Sequence, residues 1–151
     1  MAFITICTNN KYPYFGISEN DEVILSEIGK IVRKCLDDIP LHFPNTKIDC
    51  YIIMPNPVHA IIIIEEVNNV ETPHGASKSR LADSKNKSPL SVIVSQYKAS
   101  VTRTCRKKLE PDFTWQSRFY EHVIRNTKSL EKTRNYITLN PYKWNKDEYY
   151  L

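Results

Sequence analysis

At 151 residues, with 41% hydrophobic and 25% charged side chains, the chain has the length and composition of one globular domain with a sizeable core. No apolar run approaches the roughly 20 residues that cross a bilayer, so no membrane-spanning helix is expected. The net charge of +4 is mild but uneven: Met1–Glu66 carries nine acidic and five basic residues, whereas Lys78–Lys108 carries nine basic residues and one acid, Asp83. Such a basic stretch suits a polyanion such as nucleic acid, and it equally suits a solvated loop and helix face.

Residues 2–8 alternate and are rich in β-branched types, which predicts a first strand rather than a signal peptide. Tyr12-Pro13-Tyr14-Phe15-Gly16 reads as a turn and Val23-Ile24-Leu25 as a short extended piece. A helix is predicted from Ser26, an N-cap residue, to Asp38, with Pro40 stopping it and Ile28, Ile31, Val32, Cys35 and Leu36 forming its apolar stripe. Residues 47–54 and 59–66 read as strands joined across Pro55-Asn56-Pro57. Residues 68–89 are polar and without periodicity, which predicts a mobile loop. A second helix over 90–108 buries Leu90, Ile93, Val94, Tyr97, Val101 and Cys105. Residues 115–124 read as a further strand and 129–140 as a last helix that ends at Pro141. This order predicts a single α+β domain of ferredoxin-like type, with a four- or five-stranded antiparallel sheet and helices packed on one face. Cys7, Cys35, Cys50 and Cys105 are scattered without a CxxC pair, as expected of free buried thiols in a reducing cytoplasm.

Five segments carry more than secondary structure. Met54-Pro55-Asn56-Pro57-Val58-His59, running into Ala60–Ile64, resembles the signature strand of the HUH single-strand nucleases. Ser26–Ile31, Pro89–Lys98, Trp115–Arg125 and Asn135-Tyr136-Ile137-Thr138-Leu139-Asn140-Pro141 follow in an order and spacing that resemble the REP-associated tyrosine transposases. Those enzymes are relatives of the insertion-sequence transposases that act on single-stranded hairpin DNA. The resemblance covers nearly the whole chain, although the family often has a longer leader before the first strand.

The resemblance implies the chemistry. The family's nucleophile falls on Tyr136, which attacks a phosphodiester to give a 5′-phosphotyrosine. His59 matches one of two paired metal-ligating histidines, and the other position is Pro57, which has neither a lone pair nor an N–H to offer. Asn140, four residues beyond Tyr136 and so on the same helix face, matches a polar ligand to Mg²⁺ or Mn²⁺. His122 and His74 are further histidines, the first belonging to the strand signature and the second to the loop. Lys98, Arg103, Arg106 and Lys107 lie off the apolar stripe of their helix and are expected to contact phosphates. The expected partner is single-stranded or hairpin DNA, the expected compartment the cytoplasm with its nucleoid, and a homodimer is common among the insertion-sequence relatives.

Each assignment has a plainer alternative. Tyr136 is one of nine tyrosines, Asn before Pro is a common helix ending, and a strand histidine is usually just hydrogen-bonded. Three functions follow: a metal-dependent DNA strand transferase weakened by Pro57, a degenerate protein that binds hairpin DNA without cutting it, and a ferredoxin-like interaction domain. The basic stretch and the co-occurring motifs favour the first two.

Overall fold

The computed structural model describes residues 1–66 and 88–149. In chain order the elements are β1 (Ala2–Cys7), a hairpin of β2 (Gly16–Glu19) and β3 (Glu22–Leu25), α1 (Glu27–Asp37), the short α2 (Ile39–His42), β4 (Thr46–Ile53), β5 (Pro57–Ile64), α3 (Pro89–Lys108), β6 (Tyr120–Val123) and α4 (Thr127–Leu139). A 3-10 turn over Pro141–Lys146 follows α4. The main sheet is antiparallel, in the order β4-β5-β1-β6, and the β2–β3 hairpin stands apart from it. This is the expected ferredoxin-like α+β architecture.

The central strand explains the layering. Pro57–Ala60 and Ile61–Ile62 are buried in succession, the pattern of a strand covered on both faces. Side chains alternate across it. Val58, Ala60 and Ile62 join Ile4 and Ile6 of β1, Val32 and Leu36 of α1, and Ile93, Val94, Tyr97 and Val101 of α3 in the main core. Ile61 points the other way, into a smaller cluster with Ile124, Ile137 and the half-buried Phe3, Cys50, Ile52 and Leu130. His59 alternates with Val58 and Ala60, so it belongs to this second face.

α1 starts where expected, because Ser26 Oγ accepts from the Gly29 N–H at 3.1 Å. Gly29 is required by close approach: a Cβ there would lie 2.1 Å from the Phe15 carbonyl oxygen. α3 buries the six residues of its predicted stripe, and Tyr97 Oη donates to the Val32 carbonyl at 3.1 Å, tying α3 to α1.

α1 and α3 thus share one face, as expected for the helices, whereas α4 lies over the opposite face. The reason is its thin apolar stripe. Ile137 is its one fully buried residue, enough to cover the small Phe3–Ile61 patch but not to compete for the main core. A bulge helps to hold it: the β4–β5 register shifts between Ile48 and Cys50, and the intervening Asp49 takes a two-pronged ion pair from Arg134 of α4 at 2.6 and 2.8 Å.

Several boundaries differ from the sequence expectation. β5 begins at Pro57 rather than residue 59, since a proline is tolerated as the first residue of a strand. β6 is confined to Tyr120–Val123, with Trp115 making an isolated bridge to Thr8. The expected loop at 68–89 lies outside the described residues except for its last two, the cap and first residue of α3. Ser88 caps that helix through the Ser91 N–H, and Pro89 opens it.

Candidate active site

His59 sits at the middle of the second face with no exposed surface. Its Nδ1 lies 2.8 Å from Thr5 Oγ1, the residue directly across the β1–β5 ladder. Phe3 stacks on the ring at 5.9 Å, while Tyr136 and Tyr149 approach edge-on at 5.3 and 5.6 Å. Burial pushes the imidazole pKa down to about 4, against a smaller upward pull from Asp147, so the ring is neutral near pH 7. The tautomer sets which partner of that bond donates; in the tautomer whose Nδ1–H donates to Thr5, the lone pair falls on Nε2, an atom buried without a hydrogen-bond partner.

The last helix brings the nucleophile candidate to this ring. Tyr136 Oη donates to Asp147 Oδ2 at 2.9 Å. One turn on, Asn140 caps α4 and donates through Nδ2 to the same oxygen, also at 2.9 Å. Asn140 Oδ1 is, like His59 Nε2, a buried polar atom with no partner. Burial first, and the Asp147 hydrogen bond second, push the Tyr136 phenol well above its ordinary range.

Asp147 follows the 3-10 turn and is itself held, since its Oδ1 accepts from the Tyr149 N–H at 2.9 Å. Tyr149 is anchored in turn by Asn56 Nδ2 on its carbonyl at 2.8 Å, and Lys11 Nζ donates to the Glu148 carbonyl at 2.8 Å. Sequence reasoning missed Thr5, Asp147 and Tyr149. Thr5 was within reach, because alternation and antiparallel pairing of the first strand place some β1 side chain against His59. Asp147 and Tyr149 belong to no motif and carry no periodic signal.

Tyr136 stands between two clefts. One, of about 560 Å³, is lined by Phe3, Thr5, Tyr120, His122 and Lys132. The other, of about 350 Å³, is lined by Lys132, Asn140, Lys143, Lys146 and Asp147. His122, across the ladder from Phe3, therefore lines a cleft at the site, while His74 lies outside the described residues.

The four basic residues of α3 are not brought to this place. They ride on the helix that covers the opposite face of the sheet. Lys98 Nζ donates to the Gln116 carbonyl at 2.6 Å and Arg106 Nε to the Phe113 carbonyl at 2.9 Å, so both brace the 113–116 segment. Arg103 lines a separate cleft with Cys35 and Asp38, and Lys107 is exposed.

A hard divalent ion takes oxygen donors and neutral imidazole. His59 Nε2 and Asn140 Oδ1 are of that class, buried and unpartnered, so the residues fit such an ion. Pro57 adds nothing to the set, and among the described residues no three His, Cys, Asp or Glu side chains gather as a metal cluster. Any ion here depends on the amide.

No protein-family model matches the chain. An uncharacterized protein of Haemophilus influenzae is 38% identical over 151 residues, covering 99% of this chain and 84% of that protein. The chain belongs to that protein's family. Among solved structures, a REP-associated tyrosine transposase bound to a REP hairpin superposes with a TM-score of 0.63 at 22% identity, covering 95% of this chain and 67% of the other. A candidate transposase from Deinococcus radiodurans gives 0.53 at 12% identity, over 92% and 90% of the two chains. At these identities the likeness is one of fold, and the family to which this chain belongs has the α+β fold seen in those transposases. None of the helices among the described residues is long and apolar enough to cross a membrane.

Proposed function

We propose that the protein is a transposase-type single-stranded DNA endonuclease and strand transferase acting on hairpin DNA. The observation that carries this reading is the approach of the Tyr136 ring to His59 at 5.3 Å, edge-on, on the sheet face opposite the main core. The sequence motifs and the fold shared with a hairpin-bound transposase add to it.

Tyr136 Oη attacks a backbone phosphorus, forming a 5′-phosphotyrosine and releasing the 3′ oxygen of the cut strand. The phenol gives up a proton and the departing oxygen takes one up. A second 3′-hydroxyl later reverses the exchange and joins the strands. His59 and Asn140 would hold Mg²⁺ or Mn²⁺, which when bound supplies polarisation of the scissile phosphate. Thr5 orients the imidazole through Nδ1 and accepts from it in the tautomer that leaves Nε2 free. Lys132, Lys143 and Lys146, which line the cleft beside Tyr136, give the DNA backbone a cationic track.

The test is a cleavage reaction on hairpin-tipped single-stranded DNA with Mn²⁺, read as a covalent protein–DNA adduct on a denaturing gel. The native protein is expected to form the adduct and Tyr136→Phe to form none. A second reading, a degenerate protein that grips hairpin DNA without cutting, is favoured by Pro57 and by the engagement of the Tyr136 hydroxyl with Asp147. Tight hairpin binding with no adduct under any metal would decide for it.

A further inference from the structure

We propose that Asp147 is a ligand to the divalent ion, its carboxylate supplying the donor that Pro57 does not. This rests on the metal-dependent reading above. Two features of the site point to it. First, His59 Nε2 and Asn140 Oδ1 are both buried without partners, and leaving such atoms unpaired away from water is unfavourable. A cation held between them would answer both atoms. Second, these two donors are neutral, so they leave a divalent charge uncompensated in a buried place. Asp147 is an acid beside them: its Oδ2 accepts from Asn140 Nδ2 and from the Tyr136 hydroxyl at 2.9 Å each, and its charge is felt at the His59 ring.

The chemistry of the neighbours narrows the choice. Cys7 is the residue across the ladder from Pro57, but sulfur is a poor ligand for Mg²⁺ or Mn²⁺. Pro57 itself shares the His59 face, two residues back along the strand. The carboxylate thus replaces an imidazole from the strand with an oxygen from the segment after α4, giving one nitrogen and two oxygen-bearing groups. That set suits a hard ion better than a two-histidine pair does.

The experiment is titration of Mn²⁺ alone into the full chain without DNA, with free Mn²⁺ followed by electron paramagnetic resonance. The native protein is expected to bind one ion and His59→Ala to lose it. Asp147→Asn, which keeps the shape and leaves an oxygen for the Tyr149 N–H, is expected to bind roughly 10–100-fold more weakly. Pro57→His added to Asp147→Asn is expected to recover most of that loss. Because a loosened 147–149 segment would also lower affinity, Asp147→Glu and Asp147→Gln are compared: equal in length, they separate only if the carboxylate binds the ion. Mn²⁺ affinity unchanged in Asp147→Asn, with His59→Ala still deficient, overturns this inference and leaves the His59–Asn140 reading standing. Unchanged affinity together with faster adduct formation overturns it in a particular way, making Asp147 a restraint on Tyr136. If the native protein and His59→Ala fail alike, the metal-dependent reading falls, and this inference with it.

Discussion

At the scale of single residues, the site turns on a histidine kept neutral by burial. The His59 pKa is about 4 in the folded protein and about 6.5 in an unfolded chain. Protons therefore favour the unfolded state between those values. Stability that is complete above pH 6.5 falls as the pH drops, by about 1.4 kcal/mol per unit and by about 3 kcal/mol once pH 4 is passed. Denaturant unfolding of the native protein and of His59→Gln across that range isolates the effect from the carboxylates. The slopes should differ by about one proton, and parallel slopes would show that His59 is not held neutral. Pro57→His tests the neighbouring position. A second imidazole on the same strand face is expected to tighten Mn²⁺ binding by about tenfold or more and to raise adduct yield. If the native protein already cleaves as well as the histidine variant, the site lacks nothing that Pro57 took away.

At the scale of elements, α4 is the part that carries the chemistry, and a polar clamp fastens it as much as apolar packing does. The Arg134 hydrogen bonds hold the Asp49 carboxyl below its ordinary pKa. Their contribution is present above about pH 4 and is lost as acid protonates Asp49. Asp49→Asn is expected to lower adduct formation more than it lowers the melting temperature, because it loosens the helix bearing Tyr136 while the α1–α3 core stays whole. A drop in both in proportion would make the clamp a global one. The clefts beside α4 bear on DNA binding as well. Neutralising Lys132, Lys143 and Lys146 is expected to weaken hairpin binding and to flatten its salt dependence by roughly 0.7–0.9 in logarithmic slope per contact. Neutralising Arg103 and Lys107 on α3 serves as the comparison, and a larger loss there would move the interface to the opposite face. The elements differ in how openly the sequence announces them. α1 and α3 were legible because each buries a stripe at helical spacing, and α1 also because it opens on the serine cap Ser26. Of the hairpin, Val23–Leu25 reads as extended and falls in β3, but β2 and the pairing were missed because Ile17 and Ile24 stay exposed, although Asn20-Asp21, both with positive φ, is a two-residue turn signal. His59, Tyr136 and Asn140 were legible through motifs. Asp147 was not, since its partners Tyr136 and Asn140 are set by how the chain doubles back after α4.

At the scale of the whole molecule, one sheet divides two unequal interiors. The main core gathers residues from β1, β5, α1 and α3, whereas the site face rests on Ile61, Ile124 and Ile137 and a few half-buried neighbours. Amides of α4 should therefore exchange with solvent at a lower opening free energy than those of α3, and bound Mn²⁺ or hairpin DNA should slow α4 selectively. Hydrogen exchange by mass spectrometry reads this directly, and equal protection of the two helices would contradict it. The enclosure of His59 by Phe3, Tyr136 and Tyr149 adds a matter of timing. A ring with no exposed surface cannot meet an incoming phosphate by collision alone. Tyr149, whose backbone carbonyl accepts from Asn56, is the covering side chain expected to move aside first. Encounter and engagement are then separate events, and the observed rate of engagement should climb with DNA concentration only until it meets the frequency at which that side chain opens. Beyond this ceiling, more DNA fills the clefts without hastening the reaction, and Asn56→Ala, which frees the Tyr149 carbonyl, should raise the ceiling itself.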